Sequence, residues 1–194
     1  KRIKLAMISR ENLNSFLLLG YFLNYPKNKI LPIPQTNTEL FYGFNEEELI
    51  HYGSKILIEA VSENFRNDSM HLVPLSGGYD SRAILACLLE FTHPENIQTF
   101  TYGVPGSFDY EIGKRISREV GVNNFEINLQ LQRFSTEMLI RTSKRFDNQT
   151  FLFYHPDYDI IQSRYGDYYF WSGFLGGESA GSHYQIWENE RTSL

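Results

Sequence analysis

The stretch HLVPLSGGYDSRAILACLLE, from His71 to Glu90, restricts the fold more than any other part of the chain. Leu72, Val73 and Leu75 make a short apolar run, interrupted by Pro74 and bounded by turn residues. It is too brief for a helix and fits a strand of a buried sheet. Ser76 to Ser81 form a turn, and Ala83, Ile84, Ala86, Cys87, Leu88 and Leu89 predict a helix with a wide apolar face. Strand, tight turn and helix in succession open a parallel β-α-β unit, whose crossovers are almost always right-handed.

The turn therefore lies at a helix N-terminus, where the first backbone N–H groups have no intrahelical partner and the helix dipole is positive. Anions bind there. Gly77 and Gly78 can adopt positive φ, which predicts a nest of inward-facing N–H groups, with Ser76 and Ser81 as added donors. A helix dipole contributes about 0.3–2 kcal/mol, whereas each hydrogen bond to a charged group contributes about 1.5–3 kcal/mol. The converging donors dominate. Asp80 would repel a phosphate unless a divalent cation stood between them, so it is read as a magnesium ligand. The alternative is a plain glycine turn in which Asp80 caps the helix.

Further along, Ile97–Gly103 has the β-branched and aromatic content of a second strand. Asp109–Gly121 has helical spacing, with acidic residues at its start and Gly121 at its end. NFEINL predicts a third strand, Leu131–Phe146 and Asp157–Arg164 two more helices, and Tyr168–Trp171 a fourth, buried strand. SGFLGGESAGSHY then makes a second glycine-rich loop. In an open parallel sheet, ligands collect where strand ends splay at the switch in winding direction, so the two loops should face one crevice. Upstream, Asn45–Asn67 predicts an amphipathic helix capped by Asn45, with Leu49, Ile56, Leu57, Ala60, Val61 and Phe65 as its core stripe. Leu13–Leu23 suggests a short helix, and the prolines at 26, 32 and 34 make an extended connector. The expected class is α/β, an open parallel sheet with helices on both faces. Residues 1–44 form an N-terminal extension and 45–194 the core.

Composition narrows the function. The 194 residues carry a formal net charge of −5 without a basic block, which argues against nucleic acid as partner. The longest apolar run, Phe16 to Leu23, is too short to span a bilayer. Cys87 is the only cysteine, so a reducing, cytoplasmic setting is expected, and its apolar neighbours make it core.

The loop lacks the GxxxxGK(S/T) spacing of a Walker A sequence. SGGYDS instead resembles the SGGxDS pyrophosphate loop of the N-type ATP pyrophosphatases. Together, SGGYDSR, FTYGVPGSFDYEIGKRISREVGV and WSGFLGGESAGSHY resemble, in order and spacing, the synthetase domain of the asparagine synthase family. The likeness covers roughly residues 72–184. It implies an adenine-nucleotide-hydrolase-like sheet that binds ATP and magnesium, adenylates a carboxylate such as aspartate, releases pyrophosphate and lets ammonia displace AMP. Related members close β-lactam or lasso-peptide amides. Carried over by position, the resemblance implies that Ser76, Gly77, Gly78, Asp80 and Ser81 hold pyrophosphate and magnesium. Leu75, Tyr102, Ser172 and Gly173 would contact adenosine.

Two departures from the family pattern stand out. Gly177 occupies the place of the usual aspartate in the second loop, and the adjacent Glu178 is the candidate second metal ligand. Arg82 stands where many relatives have serine and adds a cation beside the phosphates. The family's glutamine-hydrolysing part and its transition-state lysine would fall outside this chain, so the catalytic residues are unassigned and the fragment alone is expected to form no amide. Three readings stay open: an asparagine-synthase-type ligase, another adenylating ligase on the same scaffold, and a degenerate nucleotide-binding module, which the Gly177 departure favours.

Overall fold

The computed structural model describes residues 10, 14, 38–146 and 152–173. Apart from Asn14, the expected helix over Leu13–Leu23 lies outside the described residues, as do the prolines of the connector, Gly177 and Glu178. By its contacts the chain divides into two compact units, Lys1–Asn45 and Glu46–Leu194. The described part of the first includes a single 3-10 turn, Thr38–Phe41.

The second unit is built on four parallel strands: β1 (His71–Pro74), β2 (Ile97–Gly103), β3 (Asn123–Asn128) and β4 (Tyr169–Phe170), in the spatial order β3-β2-β1-β4. The helices are α1 (Glu46–Asn64), α2 (Tyr79–Leu89), α3 (Phe108–Val120), α4 (Thr136–Arg145) and α5 (Tyr158–Tyr165). Because successive strand side chains point to opposite faces, each strand feeds two cores. On one face Val73, Leu75 and Ile97 pack with Leu85 and Leu88 of α2, Ile116 and Val120 of α3, and Trp171. On the other, Leu72, Phe100, Phe125 and Ile127 pack with Tyr158, Ile161 and Tyr165 of α5. Helices thus cover both faces of an open parallel sheet.

The strand order follows from the handedness of the connections. β1-α2-β2 and β2-α3-β3 step in one direction, with α2 and α3 on the first face. The return to β4, on the far side of β1, reverses direction, and a right-handed crossover in reverse puts its helix, α5, on the second face. The switch point falls between β1 and β4.

Several local expectations change. The apolar stripe of α1 is not core along its length. Val61 is buried and Phe65 packs at the core edge, but Leu49, Ile56 and Leu57 are exposed. Helical periodicity fixes which residues share a face, not how much of that face meets the domain. The helix expected over Leu131–Phe146 begins only at Thr136, because Ser135 caps it by accepting the Met138 N–H at 3.2 Å. A 3-10 turn, Leu129–Leu131, precedes it. β4 is two residues long and Phe170 is 52% exposed, so the aromatic run is not a buried strand. Trp171, just past it, is the buried member. The helix after β2 ends at Gly121 with φ 76°, a left-handed cap that suits glycine. Cys87 is buried as expected, and burial pushes its thiol pKa up.

Candidate functional site

β1 ends at the loop Leu75–Gly78, and its exit is pinned on both sides. Leu75 donates its N–H to the Phe100 carbonyl at 2.9 Å, and its own carbonyl accepts the Thr101 hydroxyl at 2.9 Å in a buried contact. α3 lies directly against this point. A Cβ on Gly113 would stand 2.8 Å from both the Leu75 carbonyl oxygen and Thr101 Oγ1, so only glycine lets the helix approach.

The loop is closed by its serines. Gly78 donates its N–H to Ser76 Oγ at 3.1 Å, Ser76 donates its N–H to Ser81 Oγ at 3.2 Å, and the Ser81 hydroxyl reaches the Gly78 carbonyl at 3.3 Å. Ser81 is buried beneath the turn. The two hydroxyls, read from sequence as outward donors, therefore brace the loop from within. Positive φ is confined, among the described glycines, to Gly103, Gly106 and Gly121. Gly78 is extended at φ −68°, so the loop is not a nest built on left-handed glycines. What Gly77 supplies is room: a Cβ there would meet Asp109 Oδ1 at 3.0 Å and Ile112 at 3.3 Å.

Gly78 is the N-cap of α2 and has no side chain with which to cap it, so the opening N–H groups of the helix receive no side-chain cap. Asp80 is the second residue of the helix, not its cap as the glycine-turn alternative had it. Its side chain is exposed. Arg82 folds back over the same turn, donating Nε to the Gly78 carbonyl at 3.2 Å, with its guanidinium 4.5 Å from the exposed Tyr79 ring. Two cations of α3 are directed elsewhere: Lys114 pairs with Glu126 of β3 at 3.0 Å and Arg115 with Glu119 at 3.6 Å.

The second loop reaches this place from the other side of the switch point. Trp171 donates its backbone N–H to the Leu72 carbonyl at 2.9 Å, and Ser172 and Gly173 follow. A Cβ on Gly173 would lie 2.9 Å from the Asp80 carbonyl carbon and 3.0 Å from the Ser81 nitrogen. The loops thus touch, and Leu75, Ser76, Gly77, Gly78, Asp80, Ser81, Arg82, Ser172 and Gly173 share one end of the sheet. Tyr102 stands at the C-terminal end of β2 with its ring stacked on Phe100 at 6.2 Å. Burial raises the pKa of Tyr102, and the nearby Asp109 carboxylate adds to the rise.

Asp109 is the site-facing residue that spacing did not single out as more than a favourable helix start. α3, opened by the PGS turn with Gly106 at φ 88°, carries it against Gly77. Its place in the VPGSFD element, between β2 and a helix, was the available signal. For a cation, the described residues hold no cluster of three or more His, Cys, Asp or Glu side chains. Asp80 and Asp109 are both exposed carboxylates at this end of the sheet, a donor set of the size with which magnesium is commonly bound, through one or two carboxylates plus substrate phosphates and not by an all-protein cage.

Fold and site define an open parallel α/β domain with a glycine loop at its switch point. The asparagine synthase family model matches residues 54–155, just over half of the chain, and the chain belongs to that family. A protein of Methanocaldococcus jannaschii named "Putative asparagine synthetase (glutamine-hydrolyzing) 2" is 35% identical over 66 residues, 34% of this chain and 13% of that protein. A "Probable asparagine synthetase (glutamine-hydrolyzing)" of Acanthamoeba polyphaga mimivirus is 27% identical over 146 residues, 72% of this chain and 25% of that protein. The chain therefore spans a quarter or less of the length of these curated relatives. Among the described residues no helix is long and apolar enough to cross a membrane.

Proposed function

We propose that this domain binds ATP with magnesium and adenylates a carboxylate, aspartate being the first candidate, as the activating half of an amide-forming ligase. The contact of Gly173 with Asp80 and Ser81 carries the reading, because it joins the two loops into one crevice at the switch point. Pyrophosphate oxygens would meet the α2 N-terminus and Arg82, and adenosine would lie along Leu75, Tyr102 and the Ser172–Gly173 backbone. Asp80 would hold the magnesium, with Glu178 as second carboxylate. When bound, the ion would neutralise charge on the leaving pyrophosphate. The residues of this chain align the nucleotide and supply donors where negative charge grows. Ammonia would arrive from a glutaminase domain or subunit outside this chain, in a cytoplasmic setting.

Calorimetric titration with ATP, with and without magnesium, tests the reading, and exchange of labelled pyrophosphate into ATP with aspartate present tests the adenylation step. Magnesium-dependent ATP binding is the expected result. No binding at about millimolar ATP, well inside the weak end of measurable affinities, would overturn it. Binding without exchange, for aspartate or other carboxylates, would favour the degenerate module.

A further inference from the structure

His71 and Trp171 form a buried polar pair. Trp171 Nε1 lies 3.0 Å from His71 Nδ1, and His71 is 1% exposed. An indole nitrogen can only donate, so Nδ1 must be the acceptor, and the ring proton then sits on Nε2. Burial lowers the pKa of His71, and the Arg66 backbone opposes that shift in lesser measure. Around the ring stand Phe65 from beyond α1, stacked at 4.6 Å, Tyr169 edge-on at 6.4 Å, and Ile97 alongside on β2. The charged member of this surround is Arg66, whose guanidinium lies 5.4 Å from the Tyr169 ring centroid. None of these groups is a carboxylate, so none compensates an imidazolium.

We propose that His71 and Trp171 are a proton-released latch: neutral His71 holds Trp171, and through it the Ser172–Gly173 loop, against the first turn of α2, and protonation frees that loop. The chain of contact is short. Trp171 is tied to β1 by its backbone bond to Leu72 and to His71 by its indole, and two residues later Gly173 touches Asp80 and Ser81. A proton on Nδ1 would set two N–H groups against each other at hydrogen-bond distance and place a charge in the core. Separating the indole from the imidazole relieves both and moves the segment that carries the second loop. Burial already opposes that proton and lowers the pKa of His71 below the ordinary histidine value, so the latch holds at neutral pH and opens on acidification. His71 is a positioning residue; it does not touch the crevice.

The ligand readout rests on the nucleotide reading above, whereas the release of Trp171 does not. Magnesium-ATP affinity is measured by calorimetry from about pH 8 to pH 5.5, over the range where a histidine titrates, on the wild type, His71→Asn and Trp171→Phe. Asparagine can present an acceptor near the place of Nδ1 but does not titrate. The wild type should lose affinity by up to about tenfold per pH unit below the His71 titration, the limit for one linked proton. His71→Asn should keep the neutral-pH affinity and lose the excess acid dependence, and its profile also subtracts the ionisation of ATP itself. Trp171→Phe should be weak across the range. In parallel, Trp171 fluorescence is titrated in a Trp187→Phe background without nucleotide, where a shift in emission with acid is expected when His71 is retained and not when His71→Asn is added. Coincident fluorescence titrations with and without the His71→Asn substitution would overturn the latch, even if ATP binds. Absence of ATP binding at every pH, with the fluorescence transition present, would overturn the nucleotide reading and leave the latch standing.

Discussion

Gly173 and Asp80, from opposite sides of the switch point, are in backbone contact, with space between them for a hydrogen and not for a methyl group. Gly173→Val should therefore push the second loop off α2. Because the conflict is with main-chain atoms of a helix, the loop must yield and not the helix. Nucleotide affinity should fall by about tenfold or more, equivalent to losing one hydrogen bond to a charged group, while the thermal midpoint moves little. Calorimetry and thermal unfolding on the same preparation check this, and unchanged affinity would mean that the loops do not act together.

Asp80→Ala removes an exposed carboxylate that packs against no core residue, so stability should be unaltered. The magnesium-dependent part of ATP affinity should drop by about 1.5–3 kcal/mol, the range for a contact with a charged group. Titration with and without magnesium separates that part from the rest. A mutant that still gains affinity from magnesium as the wild type does would remove Asp80 from the metal.

Gly113→Ala should cost stability where Asp80→Ala does not. Its Cβ would fall 2.8 Å from the Leu75 carbonyl oxygen, which is already fixed by Thr101. Overpacking of this kind costs about 1–3 kcal/mol. Urea unfolding should show the loss, and because Leu75 leads directly into the glycine loop, ATP affinity should weaken as well.

The two loop glycines should differ. Gly78→Ala meets only Ser76 Oγ, at 3.2 Å, and has an ordinary negative φ, so a modest loss of affinity is expected. Gly77→Val runs into Asp109 and Ile112 of α3 and should lower both affinity and stability. Equal effects at the two positions, in parallel binding and unfolding measurements, would show that the loop is not packed in this way.

Stability should decline on mild acidification. His71 and His155 are both shifted to lower pKa, burial being the cause in each. In the unfolded chain both return to about 6.5. Below that value the unfolded state binds more protons than the folded one, so the contribution is complete above it and is lost as pH falls through the folded pKa values. Urea midpoints at about pH 7.5, 6 and 5 should fall in that order across the histidine range, and His71→Asn should flatten part of the decline.

The main elements of this domain were written in local sequence. A four-residue apolar run before SGG, the seven residues IQTFTYG and the Gly121 stop each carry their own conformational preference, so β1, β2 and the end of α3 could be placed from the chain alone. The family was legible for the same reason, since a strand-turn-helix with that glycine spacing is a local object. The extent of burial was not. Leu49, Ile56 and Leu57 obey helical spacing yet stay exposed, because spacing says which residues share a face and nothing of what comes to meet it. The roles of the loop glycines and serines also belonged to the tertiary structure. Gly77 and Gly173 are required by atoms of Asp109, Asp80 and Ser81, brought in by packing, and the serine hydroxyls turn inward because the loop closes on itself. His71 and Trp171, a hundred residues apart, meet only because β4 pairs with β1 across the switch point. A pairing of that kind depends on strand order, which no local preference encodes.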